Sequence, residues 1–374
     1  MRIGIDARMY GSGFTGIGRY TYELIHNLAQ LDRSNDYVIF LRKEAFDGFV
    51  PPSPRFQKVL ADFPHYSLAE QTRFLSVLNR EHLDLMHFCH FNAPVLYRHP
   101  FVVTLHDLTL SFFPGKKMTH WIQRVAYHIV LRLVTRHAQQ IIAVSGHTKK
   151  DLQTLLGIPD EKVTVIFNGV NPDFSTPSSV DPKALRTQFG LAKPYFLYTG
   201  VWRDHKNIVG LLKAFDALNR ESDHHYQLVI TGRPNPNYPE IPETVKALRL
   251  ENEVRLTGLV GDEELKALYQ QALAYVFPSF YEGFGFPPLE AMLCGIPVAA
   301  SNTSSIPEIC GQGNAVFFDP YDIEAMTTAM RTVATDQALR KDLVERGFKH
   351  ALRFKWEAMA SSVLDVYNGI LKGI

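Results

Sequence analysis

Two glutamates, Glu282 and Glu290, stand eight positions apart around a glycine-rich turn in the segment SFYEGFGFPPLEAMLCGIPVAAS, which runs from Ser279 to Ser301. Gly283 and Gly285 let the backbone fold tightly there and present bare N–H donors. Pro287 and Pro288 fix the chain just ahead of LEAML, where a missing donor costs nothing, and Gly295 closes the short helix as a C-cap. Such a helix points its positive end back at the turn, a geometry that binds a diphosphate. Carboxylates beside phosphates would repel them, so both glutamates read as acceptors of hydrogen bonds from the hydroxyls of a sugar or a ribose. Glu290, placed by the pattern in the first helical turn, has a plainer alternative as an acid that only stabilises the helix dipole.

Near the start, Gly11, Gly13 and Gly16 spell G-x-G-x-x-G. A nicotinamide-binding fingerprint would begin where the first strand ends and would find an acid at the end of the second strand. Here Ala7 to Tyr10 intervene, and the run YVIFL is followed by Arg42 and Lys43. A surface turn and a helix start that approaches a phosphate or sugar without Cβ interference both stay open. His106 closes the strand-like FVVTL, a position that suits a binding crevice. Asp107 either orients that histidine or caps the turn after it.

The elements that must position these residues are short β-rich runs alternating with helical patterns. RIGIDA, YVIFL, LMHFCH, FVVTLHD, QIIAVS and KVTVIF form one series, and YFLYTG, YQLVITG, EVRLTG, AYVFPS, IPVAAS and AVFFD form a second. That alternation predicts parallel sheets covered by helices. A chain of 374 residues is long enough for two such domains. The Pro- and Ser-rich stretch from Asn171 to Pro194 reads as the linker between residues 1–175 and 176–355. The last helix, 356–374, is free to pack back on the first domain. Ligands of open α/β sheets sit at the carboxyl ends of the strands, so two doubly wound domains facing each other place their site in the cleft.

Composition narrows the partners. With 39 Lys and Arg against 38 Asp and Glu, no global field draws the chain to nucleic acid. Three scattered cysteines exclude a disulfide framework and a Cys-based zinc site, and favour a reducing compartment. MRIGIDARMY lacks the pattern of a signal peptide, and no run of apolar residues is long enough to span a bilayer. A cytoplasmic protein is expected.

The Glu-x7-Glu arrangement with its glycine turn resembles the donor site of family-4 retaining glycosyltransferases of the GT-B fold. DARMYGSGFTGIGRYTYELI, TLHDL, AVSGHTKKDL, VIFNGV and GVWRDHKN resemble the same family in the same order, so the likeness covers nearly the whole chain. It implies an N-terminal acceptor domain and a C-terminal nucleotide-sugar domain. It assigns Glu282 to the donor sugar, Glu290 to the nucleotide ribose, and the backbone of Gly283, Phe284, Gly285 and Phe286 to sugar and phosphate. Lys206 takes the lysine position of the family's basic pair, whose charge offsets that of the departing nucleotide. For the partner, the positions many relatives use hold Val201 and His205, and Arg203 between them is the nearest arginine. His106 matches a histidine near the transferring sugar, and Gly16 would lie opposite the donor diphosphate. No Asp-x-Asp motif for a divalent metal is present, so a metal-independent, cofactor-free reaction is implied.

GFTGIGRY paired with TLHDL most resembles mannosyltransferases that build bacterial surface polysaccharides. The implied reaction moves a hexose, mannose first, from GDP-mannose to a glycan or lipid-linked glycan; UDP-glucose or a related UDP-sugar is the alternative donor. A non-catalytic nucleotide-sugar-binding subunit would keep Lys206 and Glu290 but lack Glu282 or His106. Arg124, His128, Arg132 and Arg136 recur every four residues on one predicted helix, with Lys116 and Lys117 ahead of it. This region, 116–136, is either a solvated helix face or a peripheral contact with anionic lipid on the inner face of the cell membrane.

Overall fold

The computed structural model describes residues 1–11, 15–115 and 121–373. Gly13, Lys116 and Lys117 therefore lie outside the described residues. The chain divides into two compact units, the first comprising Met1–Pro114, Met118–Gly169 and Lys355–Ile374, the second built on Val170–Phe354.

In the first unit the described residues form seven parallel strands: β1 (Arg2–Asp6), β2 (Asp36–Leu41), β3 (Phe56–Leu60), β4 (Leu85–Phe88), β5 (Phe101–Leu105), β6 (Gln140–Ala143) and β7 (Val163–Val165). Their order across the sheet is β3-β2-β1-β4-β5-β6-β7. In the second they form β8 (Tyr195–Thr199), β9 (Gln227–Thr231), β10 (Val254–Gly258), β11 (Ala274–Phe277), β12 (Val298–Ser301) and β13 (Val316–Phe318), ordered β10-β9-β8-β11-β12-β13. Both sheets are doubly wound α/β layers of the Rossmann type. Each builds outward from its first strand and then reverses, which leaves a crevice at the carboxyl ends of β1 and β4 and another at those of β8 and β11. Helices cover both faces, so central strands such as FVVTL, YFLYT and QLVIT are buried at every residue. Strand β3, FQKVL, is absent from the series read off the sequence. It is an edge strand that buries only Phe56, and its Gln57 and Lys58 hide the apolar run that marks the others.

The stretch from Asn171 to Pro194 is not a linker, and the units divide at Gly169 and Val170 rather than after residue 175. Its prolines and hydroxyls start structure. Asn171 and Asp181 cap the helical turns Pro172–Ser175 and Pro182–Gln188, each with proline in the first turn. Phe174 is buried edge-on against Tyr269, and Leu185 is fully buried. Composition alone misread caps as flexibility.

The final helix, Trp356–Leu371, belongs to the first unit, where it packs on the helix Thr15–Leu31. A buried chain of side chains fastens it: Tyr367 meets Nδ1 of His87, His87 Nε2 meets Thr104 Oγ1 at 2.7 Å, and Thr104 meets Tyr20 at 2.9 Å. No helix among the described residues is long and apolar enough to cross a membrane.

Candidate functional site

The glycine turn of the second unit follows β11. Gly285 adopts φ +101°, a left-handed conformation that a side chain would strain, and the helix Phe286–Leu293 begins after it with proline in its first turn. At the far end Gly295, at φ +73°, donates to Met292 O while Ile296 donates to Ala291 O, so the last carbonyls are satisfied as a Schellman cap. The tight turn at Gly285, the proline in the first helical turn and the C-cap at Gly295 are thus as read from the sequence. Glu290, however, is the fifth residue of the helix and lies in its second turn, not its first. It is therefore not a dipole-stabilising acid at the helix start.

The turn is held from a neighbouring segment that the sequence reading passed over. Ser304 Oγ accepts from Glu282 N–H at 3.0 Å. Ser305 Oγ lies 2.9 Å from Glu282 O and 3.0 Å from Phe284 O, and Thr303 donates to Phe280 O at 2.9 Å. Three successive hydroxyl residues just beyond β12 were the signal, legible only once the sheet order sets β12 beside β11.

Beyond β8 the chain passes Arg203 into the short turn Asp204–Lys206 and then Asn207 at φ +52°. The Asn207 amide donates to Pro278 O at 3.2 Å and Pro320 O at 2.9 Å, fixing this loop to the end of β11. The tether delivers Lys206 to the glycine turn, with Nζ 2.6 Å from Glu282 Oε1 in a largely buried ion pair. Arg203 is half-buried, and its side chain makes no hydrogen bond or ion pair with the described residues. Glu290, 7% exposed, lies 3.3 Å from the hydroxyl of Tyr269. Burial pushes the Tyr269 and Tyr275 hydroxyls up from their ordinary range, so both stay protonated, and both meet Thr199 Oγ1 at the end of β8. Lys206, Glu282, Glu290 and the glycine turn are thereby gathered at the crevice between β8 and β11.

His106 and Gly16 belong to the first unit. His106 is half-buried at the end of β5, its Nε2 2.9 Å from Cys89 O and its ring edge-on to Tyr20. A carbonyl only accepts, so Nε2 carries the hydrogen and Nδ1 is left as the acceptor. Burial pushes its pKa down to about 4, against the opposing pull of the Cys89 carbonyl and of Asp107. Asp107 accepts from Thr109 N–H at 2.8 Å, which makes it a cap of the following turn. Gly16 is the second residue of the helix Thr15–Leu31. Gly18 in the same helix is demanded by close packing, since a Cβ there would fall 2.1 Å from Gly11 O. On the helix Trp121–His137, Tyr127, Leu131, Val134 and Thr135 are buried, while Trp121, Ile122, Val125 and Ile129 are exposed among the arginines. Among the described residues no three His, Cys, Asp or Glu side chains cluster as metal ligands.

Residues 14–174 match Glycosyltransferase Family 4, and residues 183–350 match Glycosyl transferases group 1. The chain is 30% identical over 373 residues to O-antigen chain mannosyltransferase B of Escherichia coli, covering 95% of this chain and 96% of that one. It is 27% identical over 276 residues to O-antigen chain mannosyltransferase RfbU of Salmonella typhimurium, covering 73% and 70%. Among solved structures, sucrose-phosphate synthase from Thermosynechococcus elongatus superposes over the full length of both chains with a TM-score of 0.81 at 21% identity. That last likeness concerns the fold.

Proposed function

Since the chain belongs to the family-4, group 1 glycosyltransferases of the GT-B fold, we propose that it is a retaining, metal-independent mannosyltransferase acting from GDP-mannose on a growing surface polysaccharide. The observation that carries this reading is the Lys206–Glu282 pair, held at 2.6 Å where a glycine turn enters a proline-led helix, with Glu290 on the same helix.

An ion pair at such a turn is a site waiting for exchange. An incoming pyrophosphate offers Lys206 a partner of greater charge and frees Glu282 to accept from hydroxyls of the sugar. Arg203 adds a second cation from the same loop, and the helix Phe286–Leu293 turns its positive end toward the phosphates. As the sugar–phosphate bond breaks, negative charge collects on the departing nucleotide, and fixed cations lower the barrier there more than in the bound substrate. Glu290 receives a ribose hydroxyl, held ready by the Tyr269 hydroxyl behind it. His106, neutral above about pH 4, presents Nδ1 as an acceptor for a hydroxyl of the transferring sugar. The acceptor attacks from the leaving-group face, and the phosphate helps to take its proton.

The nucleotide sugar is thus the donor partner and a glycan or lipid-linked glycan the acceptor. The exposed face of Trp121–His137 favours the lipid-linked form and a peripheral contact on the inner face of the membrane. Trp121 is 72% exposed, the helix carries no acid, and a groove of about 380 Å³ lined by Val125, Ile129, Leu131 and Leu155 runs beside it. Apolar side chains framed by arginines suit the boundary between headgroups and acyl chains.

Incubation with GDP-mannose, UDP-glucose and UDP-galactose, followed by nucleotide release and by NMR of the product, tests the proposal. Preferential release of GDP with an α-linked product supports it; an inverted anomeric centre or preference for a UDP-sugar contradicts it.

A further inference from the structure

The side chains that fasten the last helix to the first unit end at His106. Tyr367, on the helix Trp356–Leu371, meets His87 Nδ1, and His87 Nε2 meets Thr104 Oγ1 at 2.7 Å. Thr104 Oγ1 in turn meets the Tyr20 hydroxyl at 2.9 Å. The ring of Tyr20 then stands edge-on to His106, with centroids 4.9 Å apart, and edge-on to His87 at 6.4 Å. Thr104 and His106 are two residues apart along and just past β5, so both meet the one tyrosine. Tyr20 is anchored at its hydroxyl and leans its ring on the histidine.

Fastening alone does not account for these residue types. Tyr20, Thr104, His87 and Tyr367 are all fully buried. The same helix already buries Trp356, Met359, Ala360, Val363 and Leu371, and more apolar packing would hold it without burying a histidine and three hydroxyls. What apolar packing lacks is direction. Burial keeps the His87 ring neutral and both tyrosines protonated, so His87 has one nitrogen that donates and one that accepts. The bonds therefore run in one sense along the whole chain, and a satisfied chain of this kind specifies one arrangement of its rings. His106 has use for such a support. Its bond from Nε2 to Cys89 O leaves the ring able to swing about the N–H···O axis, and the edge-on Tyr20 blocks that swing. Thr21, next on the helix Thr15–Leu31, bonds the Cys89 thiol, so both supports of His106 rest on that helix.

We propose that Tyr367 and His87 are positioning residues for His106, setting through Thr104 and Tyr20 the angle at which its Nδ1 meets the transferring sugar. The inference rests on the transferase reading above and deepens it, because it ties the last helix to the reacting end of the first unit. The other titratable groups around His106 are Asp107 beside it and His90 beyond β4. Asp107 favours its charged form, and burial keeps His90 neutral.

The test is a double-mutant cycle on the full chain. Tyr367→Phe, which keeps the ring and removes the hydroxyl, is compared alone and together with His106→Ala. The readings are GDP release from saturating GDP-mannose and an NMR titration of the His106 ring, its signals assigned by their loss in His106→Ala. Tyr367→Phe is expected to lower kcat about tenfold, short of the roughly hundredfold that a full ångström of misplacement costs, with KM held within about twofold. The His106 pKa should rise from about 4 toward its ordinary value as the loosened ring meets water. In the His106→Ala background the same substitution should change kcat no further. A fall in melting temperature with kcat and the His106 titration unmoved marks a fastening role and overturns the proposal. So does an equal loss of kcat in both backgrounds. Should Tyr367→Phe fail to fold, Thr104→Val, which interrupts the chain at its middle, decides by the same two readings. The levels separate cleanly. No GDP release by the unmodified protein sinks the transferase reading and leaves the titration to judge the chain. GDP release indifferent to His106→Ala sinks the role of His106 and the proposal with it, whereas release that needs His106 but not Tyr367 sinks the proposal alone.

Discussion

Lys206 and Glu282 of the second unit form a one-to-one ion pair at a turn, whereas Arg8 of the first is locked between two carboxylates and roofed by an aromatic ring. The first arrangement can trade partners when an anion arrives; the second cannot. The units share a sheet topology and put their polar residues at the same switch in strand order. What differs is the charge each keeps exchangeable. The same scaffold thus keeps a cation exchangeable in one unit and holds one fixed in the other.

The sharpest way to break this comparison is to remove the exchangeable cation. Lys206→Ala is expected to lower kcat/KM for GDP-mannose by about 100-fold to 1,000-fold, the usual cost of losing one charge-stabilising contact in the transition state, measured by nucleotide release. A change below threefold would mean that Lys206 is a structural partner of Glu282 and no more. Glu290→Ala comes next, with GDP-mannose affinity expected to weaken about tenfold by calorimetry, the scale of a hydrogen bond to a charged group. Full affinity would return Glu290 to the role of a partner for Tyr269.

How much of each site the sequence disclosed follows from the same contrast. The proposed donor site is built largely from one stretch, Glu282 to Gly295, because a turn and the helix it feeds are consecutive in the chain. Its glycines, prolines and glutamates were legible together, as was the alternation that made two parallel sheets. The clamp from Thr303, Ser304 and Ser305 was not, since it acts through strand order. The cluster around Arg8 in the first unit draws on Asp6, Arg8 and Glu70, the last of them 62 residues beyond Arg8, and no spacing in the sequence links them. The edge strand β3 and the capped turns after Asn171 were misread for a related reason: polar residues that finish local structure look, in sequence, like loops.

A third prediction sharpens the contrast through pH. Burial holds His87 down to about 3, helped by the charge of His106, and holds His106 down to about 4. Both rings are neutral in the fold, while in the unfolded chain they take a proton near pH 6.5. The unfolded state therefore binds more protons between about pH 6.5 and pH 3 to 4, so stability is complete above that window and is lost as pH falls through it. Hydrogen exchange at pH 7.5 and pH 5 should show the first unit, including the helix Trp356–Leu371 fastened through His87, losing protection ahead of the second. Loss in the second unit first would contradict the assignment. The smallest effect is expected at the surface, where Arg132→Gln should weaken binding to vesicles rich in anionic lipid about fivefold, the worth of one cation near such a surface. Equal binding of the unmodified protein to neutral and acidic vesicles would remove the membrane contact from the account.

The central claim is that the turn at Gly283 and its proline-led helix hold the donor. A crystal of the protein soaked with GDP-mannose tests it most directly. The account predicts the pyrophosphate within hydrogen-bond reach of Lys206 and the backbone of Gly283 to Phe286, the mannose on Glu282 and the ribose on Glu290; nucleotide density away from that turn, with the Lys206–Glu282 pair undisturbed, would contradict it.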